Sequence, residues 1–194
     1  MVSMASQLRN RKWSRDEYIV STASSLASAK ALNVVFDSPA MHWAKPIPDS
    51  VMEETLQNSL FFGLYRTHSG NVSDSEEGTQ TSDVPAPGGA VGDQTPKLDM
   101  VGCARCITDF TTFLYLTDVW VDSRDQGKGL GKWLISCVQE TIESMPYLRR
   151  NMLFTGDWGR SVPFYEKLMG MTVLETQRGT GVAIMERKGP GNPV

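Results

Sequence analysis

Histidine and cysteine are scarce in this chain, with two of the first and three of the second among 194 residues. A small, odd cysteine count excludes a disulfide-stapled scaffold and fits a reducing compartment. Cys103 and Cys106 form a lone Cys-x-x-Cys in a strand-like run. Positions three apart on a strand point to opposite faces, so the pair chelates poorly and no metal is expected. Long apolar runs are also lacking; none approaches the roughly 18–20 residues of a membrane helix. Positive charge is not in surplus, with 19 Lys and Arg against 22 Asp and Glu. That excludes a nucleic-acid footprint spread over the whole chain. Forty per cent hydrophobic and 21% charged residues are the mixture of a soluble globular chain, and the length suits one domain, 1–194.

Two segments stand outside the core pattern. Residues 1–12 hold Arg9, Arg11 and Lys12 among serines and read as a flexible basic arm. Ser69–Pro96 holds five glycines, five acids and no Lys or Arg. It has too little apolar surface to offset its ordering entropy, and is expected to be a mobile acidic insertion at the tip of a hairpin. The hairpin strands are Leu60–Arg66 and Met100–Ile107.

Elsewhere the pattern predicts a strand near Tyr18–Ser21, a helix over Ser25–Phe36 and a helix capped by Asp49 or Ser50 and running through Asn58. Phe113–Val121 reads as a central strand. Gly129–Ser144 reads as an amphipathic helix, with Leu130, Trp133, Leu134, Cys137, Val138 and Ile142 three and four apart. A strand at Asn151–Phe154, a helix at Val162–Met169 ending on Gly170, and a strand at Val182–Glu186 complete the order. The fold class is α+β: a mixed, mostly antiparallel central sheet flanked by helices in three layers.

The strongest motif is Gln126-Gly127-Lys128-Gly129-Leu130-Gly131-Lys132, between the central strand and its helix. Glycines there bring backbone N–H groups close to an anion at a helix start. The spacing fails the Walker pattern, because Gln126 stands where glycine is needed and Trp133 follows Lys132. It fails the dinucleotide pattern too, with one residue between Gly129 and Gly131.

Gln126, Gly129 and Gly131 do resemble the Gln-x-x-Gly-x-Gly signature of the GNAT superfamily of N-acetyltransferases. Leu116-Thr117-Asp118-Val119-Trp120-Val121 looks like that family's fourth strand, and Phe164-Tyr165-Glu166-Lys167-Leu168-Met169-Gly170-Met171 like its closing motif. The clear match covers Phe113–Met171. Leu148–Thr155 looks like a largely uncharacterised fungal and bacterial subgroup.

The resemblance implies acetyl-CoA as cofactor. Its pyrophosphate would meet the backbone of Gln126, Gly127, Lys128, Gly129, Leu130, Gly131 and Lys132, and its pantetheine arm the strand backbone at Val119, Trp120 and Val121. Tyr165 is implied as the acid for the leaving thiolate. Asp118, an acid among apolar strand neighbours, is the candidate base or amine anchor, with Leu114, Leu116 and Trp120 expected on its side of the strand. The oxyanion is expected at a backbone N–H near Val119, on a strand bulge. Trp158 stands where the family often carries a cofactor-contacting Asn, so it joins the cofactor set or clamps the loop. Phe36, Trp43 and Asp109 are the candidate acceptor-site residues. The activity implied is acetyl transfer to a primary amine of a small molecule or peptide. An acetyl-CoA sensor without catalysis and a protein or histone-tail acetyltransferase remain alternatives. The expected state is a monomer or homodimer in the cytoplasm, with nucleus or mitochondrion open.

Overall fold

A computed structural model describes residues 2–41, 43–68, 98–174 and 178–188. The insertion 69–96 lies outside the described residues. In chain order the elements are α1 (Met4–Leu8), β1 (Lys12–Arg15), β2 (Tyr18–Ser21), α2 (Ala29–Phe36), α3 (Asp49–Gln57), β3 (Leu60–Thr67), β4 (Leu98–Thr108), β5 (Phe113–Val121), α4 (Leu130–Glu143), β6 (Arg150–Thr155), α5 (Ser161–Met169), β7 (Thr172–Val173) and β8 (Ala183–Lys188). The eight strands form one sheet in the order β1-β2-β3-β4-β5-β6-β8-β7. Every neighbouring pair is antiparallel except β5 with β6. That parallel join needs a crossover, and α4 supplies it.

Helices cover both faces. On one, Leu134, Val138 and Ile142 of α4 and Val162, Tyr165 and Met169 of α5 pack with Leu60, Phe62, Leu114, Leu116 and Leu153 in the larger core. On the other, Leu32 of α2 and Met52 and Leu56 of α3 pack on Phe61 and Cys103, with Trp120 against them. Cys103 and Cys106 accordingly sit in different cores, as strand alternation requires.

Several expectations need correction. The helix expected from Ser25 begins at Ala29: Ser24–Leu26 is a separate 3₁₀ turn, and the Ser28 hydroxyl caps α2 through the Ala31 N–H at 3.2 Å. Neither Asp49 nor Ser50 caps α3. Pro48 is its N-cap, and Asp49 lies inside the first turn, where an acid suits the helix dipole. The basic arm is folded. Leu8 at the end of α1 is fully buried, Arg9 lies over the Phe110 ring at 4.6 Å, and Lys12 opens β1. The Leu8 anchor, the cation–π contact and hydrogen bonds joining the Leu8 carbonyl and the Arg11 N–H to the Thr22 hydroxyl fix a segment whose composition alone suggested a loose tail.

Candidate active site

Two features of β5 create an opening in the sheet. The first is a bulge. Thr117 pairs with Arg105 and Trp120 with Cys103, so Asp118 and Val119 face Ala104 alone. Asp118 takes φ 50°, a left-handed conformation that only a bulge or tight turn asks of a residue with a side chain. The extra residue shifts the alternation. Leu114, Leu116, Val119 and Val121 therefore lie on the α4/α5 face, and Trp120 on the α2/α3 face. Leu114 and Leu116 do not share Asp118's side as expected, because a strict period of two does not survive a bulge.

The second feature is a split. β5 and β6 pair only from Phe113/Arg150 to Tyr115/Met152. Beyond that β5 runs on to Val121 and β6 to Thr155 as separate strands, β6 still paired with β8. The β6-facing backbone of β5 from Leu116 onward has no strand partner. An extended ligand can add there as a strand would.

Asp118 is buried, at 7% exposure, beside this split. Its Oδ2 accepts from Arg105 Nε at 2.7 Å, and its Oδ1 from Trp43 Nε1 at 3.3 Å and the Thr117 hydroxyl at 3.2 Å. Arg105 also donates to the Ser59 hydroxyl at 3.2 Å. A carboxylate offers about four acceptor positions, so one on Oδ2 is left after these three donors. Trp43, from the turn after α2, is thereby brought to Asp118. Phe36 stays within α2 and packs against the smaller core.

Tyr165 lies across the sheet, in the larger core. Burial, and secondarily the neighbouring Cys106 thiol, push its phenol well above the ordinary tyrosine value, so it holds its proton. Its ring meets Phe164 edge to face at 5.1 Å. Tyr165 thus lies on the α4/α5 face of the sheet, and Asp118 reaches Arg105 and Trp43 on the other.

Asp109 is placed elsewhere, in the turn at the far end of β5 from the glycine loop. It accepts from the N–H groups of Thr111, Thr112 and Phe113 and from the Thr112 hydroxyl. Burial opposes ionisation there, but these bonds outweigh it and hold the carboxyl far below the usual range. That is the work of a turn anchor. Trp158 donates its indole N–H to the Gly181 carbonyl at 2.5 Å and packs against the larger core, clamping the β6–α5 connection to the segment before β8.

The glycine loop closes the top of β5. Gly127 and Gly129 take φ 79° and 74°, accessible to glycine at little cost. Gly129 is the N-cap of α4, without a side-chain cap, and the first helical bond runs from Trp133 N–H to its carbonyl. The N–H groups of Leu130, Gly131 and Lys132 therefore have no acceptor one turn back. Gln126 Nε2 ties the loop to the strand end through the Val121 carbonyl at 2.9 Å. The Leu130 side chain is buried in the core, which leaves its backbone to the loop. A Cβ on Gly127 would meet nothing within 4 Å, and one on Gly129 only the Arg15 guanidinium at 3.8 Å. This cradle, with amides at a helix start and a cation beside it, fits a diphosphate.

Two residues of the loop's support were missed from the sequence. Asp125, 1% exposed, accepts from Lys128 Nζ at 2.7 Å, from the Tyr18 hydroxyl at 3.0 Å and from Arg66. Burial raises its carboxyl, but those three bonds prevail and hold it below the ordinary value. Lys128 is thus bound to Asp125 and Tyr18, and its ammonium is committed to the protein. Arg15 arrives from β1, far away in sequence. Its nearest acid is the exposed Asp16 at 3.9 Å. The available signal for Asp125 was an acid three residues before a lysine in a glycine loop.

The geometry has counterparts. The Acetyltransferase (GNAT) family profile matches residues 59–171. A curated protein of Gibberella zeae, provisionally named an acetyltransferase, is 33% identical over 184 residues, covering 93% of this chain and 94% of its own. A Xanthomonas campestris pv. campestris structure, provisionally named an acetyltransferase of the GNAT family, is 26% identical with TM-score 0.55, covering 90% of this chain and 94% of that one. The Escherichia coli ribosomal-protein-S18-alanine N-acetyltransferase shares the fold, at 17% identity and TM-score 0.54 over 88% of this chain and 93% of that one. With the profile spanning more than half of its length, this chain belongs to the GNAT family of acetyltransferases and is an acyltransferase enzyme.

Proposed function

We propose that the protein transfers the acetyl group of acetyl-CoA directly to a primary amine. The observation that supports this best is the unpaired edge of β5, bounded by the bulge at Asp118 and the glycine loop. Acetyl-CoA supplies an activated thioester carbonyl when bound. The chain's own groups do the rest. The N–H groups of Gly129, Leu130, Gly131 and Lys132 bind the pyrophosphate, and the Val119 and Val121 backbone orients the pantetheine arm along β5. The Val119 N–H, freed from regular pairing by the bulge, meets the charge that develops on the thioester oxygen.

A lysine-like amine must lose a proton first, at a cost of about 4–5 kcal/mol at pH 7. Asp118 holds the ammonium at its remaining Oδ2 position, and the proton leaves by way of that oxygen. Arg105 and Trp43 fix the carboxylate and prevent its rotation. Tyr165, protonated in its buried setting, gives its hydroxyl proton to the departing sulfur. Acceptor and donor approach from opposite faces and meet in the split.

The test is thermal unfolding with acetyl-CoA, ATP and NAD, followed by thiol release with primary amines. A ligand at 100 times its Kd stabilises by about 2.7 kcal/mol, so acetyl-CoA alone should raise Tm by several degrees. Tyr165→Phe should keep that shift and lower kcat about 10²-fold. Full activity in Tyr165→Phe would remove the tyrosine from the reaction, and a shift with ATP alone would remove the cofactor.

A further inference from the structure

α2 and α3 cover only part of their sheet face. Beyond Phe61, Cys103 and Trp120 the same face continues over β4, β5, β6 and β8. The register sets Ile107 beside Tyr115, Tyr115 beside Met152, and Phe154 beside Ile184. Alternation puts these five side chains on one surface. None of them belongs to either core. The Tyr115 and Phe154 rings meet edge to face at 5.3 Å, and Phe154 is 55% exposed. This aromatic shelf has a defined place. Tyr115 is the last residue of β5 that pairs with β6, Phe154 lies on β6 past the split, and Asp118 follows on β5. The shelf is the floor leading to the opening.

Two acids of this face each hold an arginine. Asp118 pairs with Arg105, and Glu186 with Arg150. Of these two acids Asp118 is the one on β5 beside the opening, with an Oδ2 position left for an ammonium. A second positive charge on the same molecule would meet a face whose acids already hold arginines. Resting on the acetyl-transfer reading above, we infer that the acceptor is a singly charged primary amine on a flat apolar body. The body lies on Tyr115 and Phe154 and the nitrogen points to Asp118. Polyamines and lysine-rich tails are disfavoured acceptors. Phe154 is the specificity residue, with no part in acetyl-CoA binding.

Steady-state kinetics with 2-phenylethylamine, spermidine and a lysine tetrapeptide test this in the wild type and in Phe154→Ala. The expected wild-type kcat/KM is at least about 10-fold higher for 2-phenylethylamine than for the other two. Phe154→Ala should lower it about 10-fold or more for 2-phenylethylamine, chiefly through KM, because an aromatic contact surface is lost. Spermidine turnover and the acetyl-CoA KM should stay within about twofold. Preference for spermidine or the peptide, an equal loss on all amines, or no loss at all would overturn the inference. So would a dimer that Phe154→Ala converts to monomer, since a second copy would then be the occupant of the shelf. If Phe154→Ala folds poorly, Phe154→Leu and Tyr115→Leu carry the same comparison. The acetyl-CoA thermal shift separates the failures: a shift without aryl preference overturns only this inference, whereas no shift overturns the transfer reading with it.

Discussion

Asp125→Ala removes the carboxylate that joins β2, β3 and the glycine loop. Hydrogen bonds to charged groups contribute about 1.5–3 kcal/mol each. Their sum does not apply here, because the Arg66 and Lys128 side chains are 33% and 48% exposed and water recovers much of their loss. The Tyr18 hydroxyl is buried with Asp125 and has no such recourse. The expected destabilisation is about 2–4 kcal/mol, or a fall in Tm of about 5–15 °C for a chain of this size. The pH dependence has a fixed sign. The folded carboxyl lies below its unfolded value of about 3.9. Its contribution is therefore complete above that value and is lost as the pH falls through the folded one. Calorimetry of wild type and variant at pH 7 should show the full difference, which shrinks from about pH 4 downward. A Tm fall below about 2 °C at pH 7, or a difference that grows in acid, would refute the network's role.

Arg15→Ala should weaken acetyl-CoA binding about 3- to 10-fold with Tm nearly unchanged, since its guanidinium lies by Gly129 and carries little packing; equal affinities by calorimetric titration would detach Arg15 from the phosphate site. Dephospho-CoA should weaken in parallel if the contact is to the pyrophosphate. Asn151 is fully buried on β6 with neither amide atom hydrogen-bonded, so Asn151→Leu, of similar shape, should stabilise by about 1–2 kcal/mol. Denaturant unfolding reads this directly, and a loss of stability would mean that the amide has a partner, such as a buried water.

Much of the frame was readable because it follows period and punctuation. The face of α4 is set by apolar residues at helical spacing, and Gly170 in a left-handed conformation ends α5 where expected. The glycine spacing marked a sharp turn at the start of α4, and Gly127 and Gly129 do take positive φ there. What escaped the sequence depends on contacts far apart in the chain. Arg15 reaches Gly129 only because β1 lies across the sheet. The resemblance implied a bulge near Val119, but the neighbours of Asp118 depend on which residue is the extra one, and no local pattern marks that. Asp109 reads as a candidate acceptor-site residue, yet its carboxylate organises the turn. For Leu8, a single apolar residue among basic and serine neighbours gave no periodic signal.

The short join between β5 and β6 also bears on how the chain folds. β1 through β5 pair with their neighbours in chain order, and β6 through β8 form a second antiparallel set. Each set can assemble from its own hairpins and crossings. Only three residue pairs, Phe113 with Arg150 through Tyr115 with Met152, then unite them, and they form only once α4 has bridged the distance. Parallel closure across an intervening helix is the slow kind of contact. The expected last event of folding is therefore the joining of these two sub-sheets, the same seam that the proposed reaction uses.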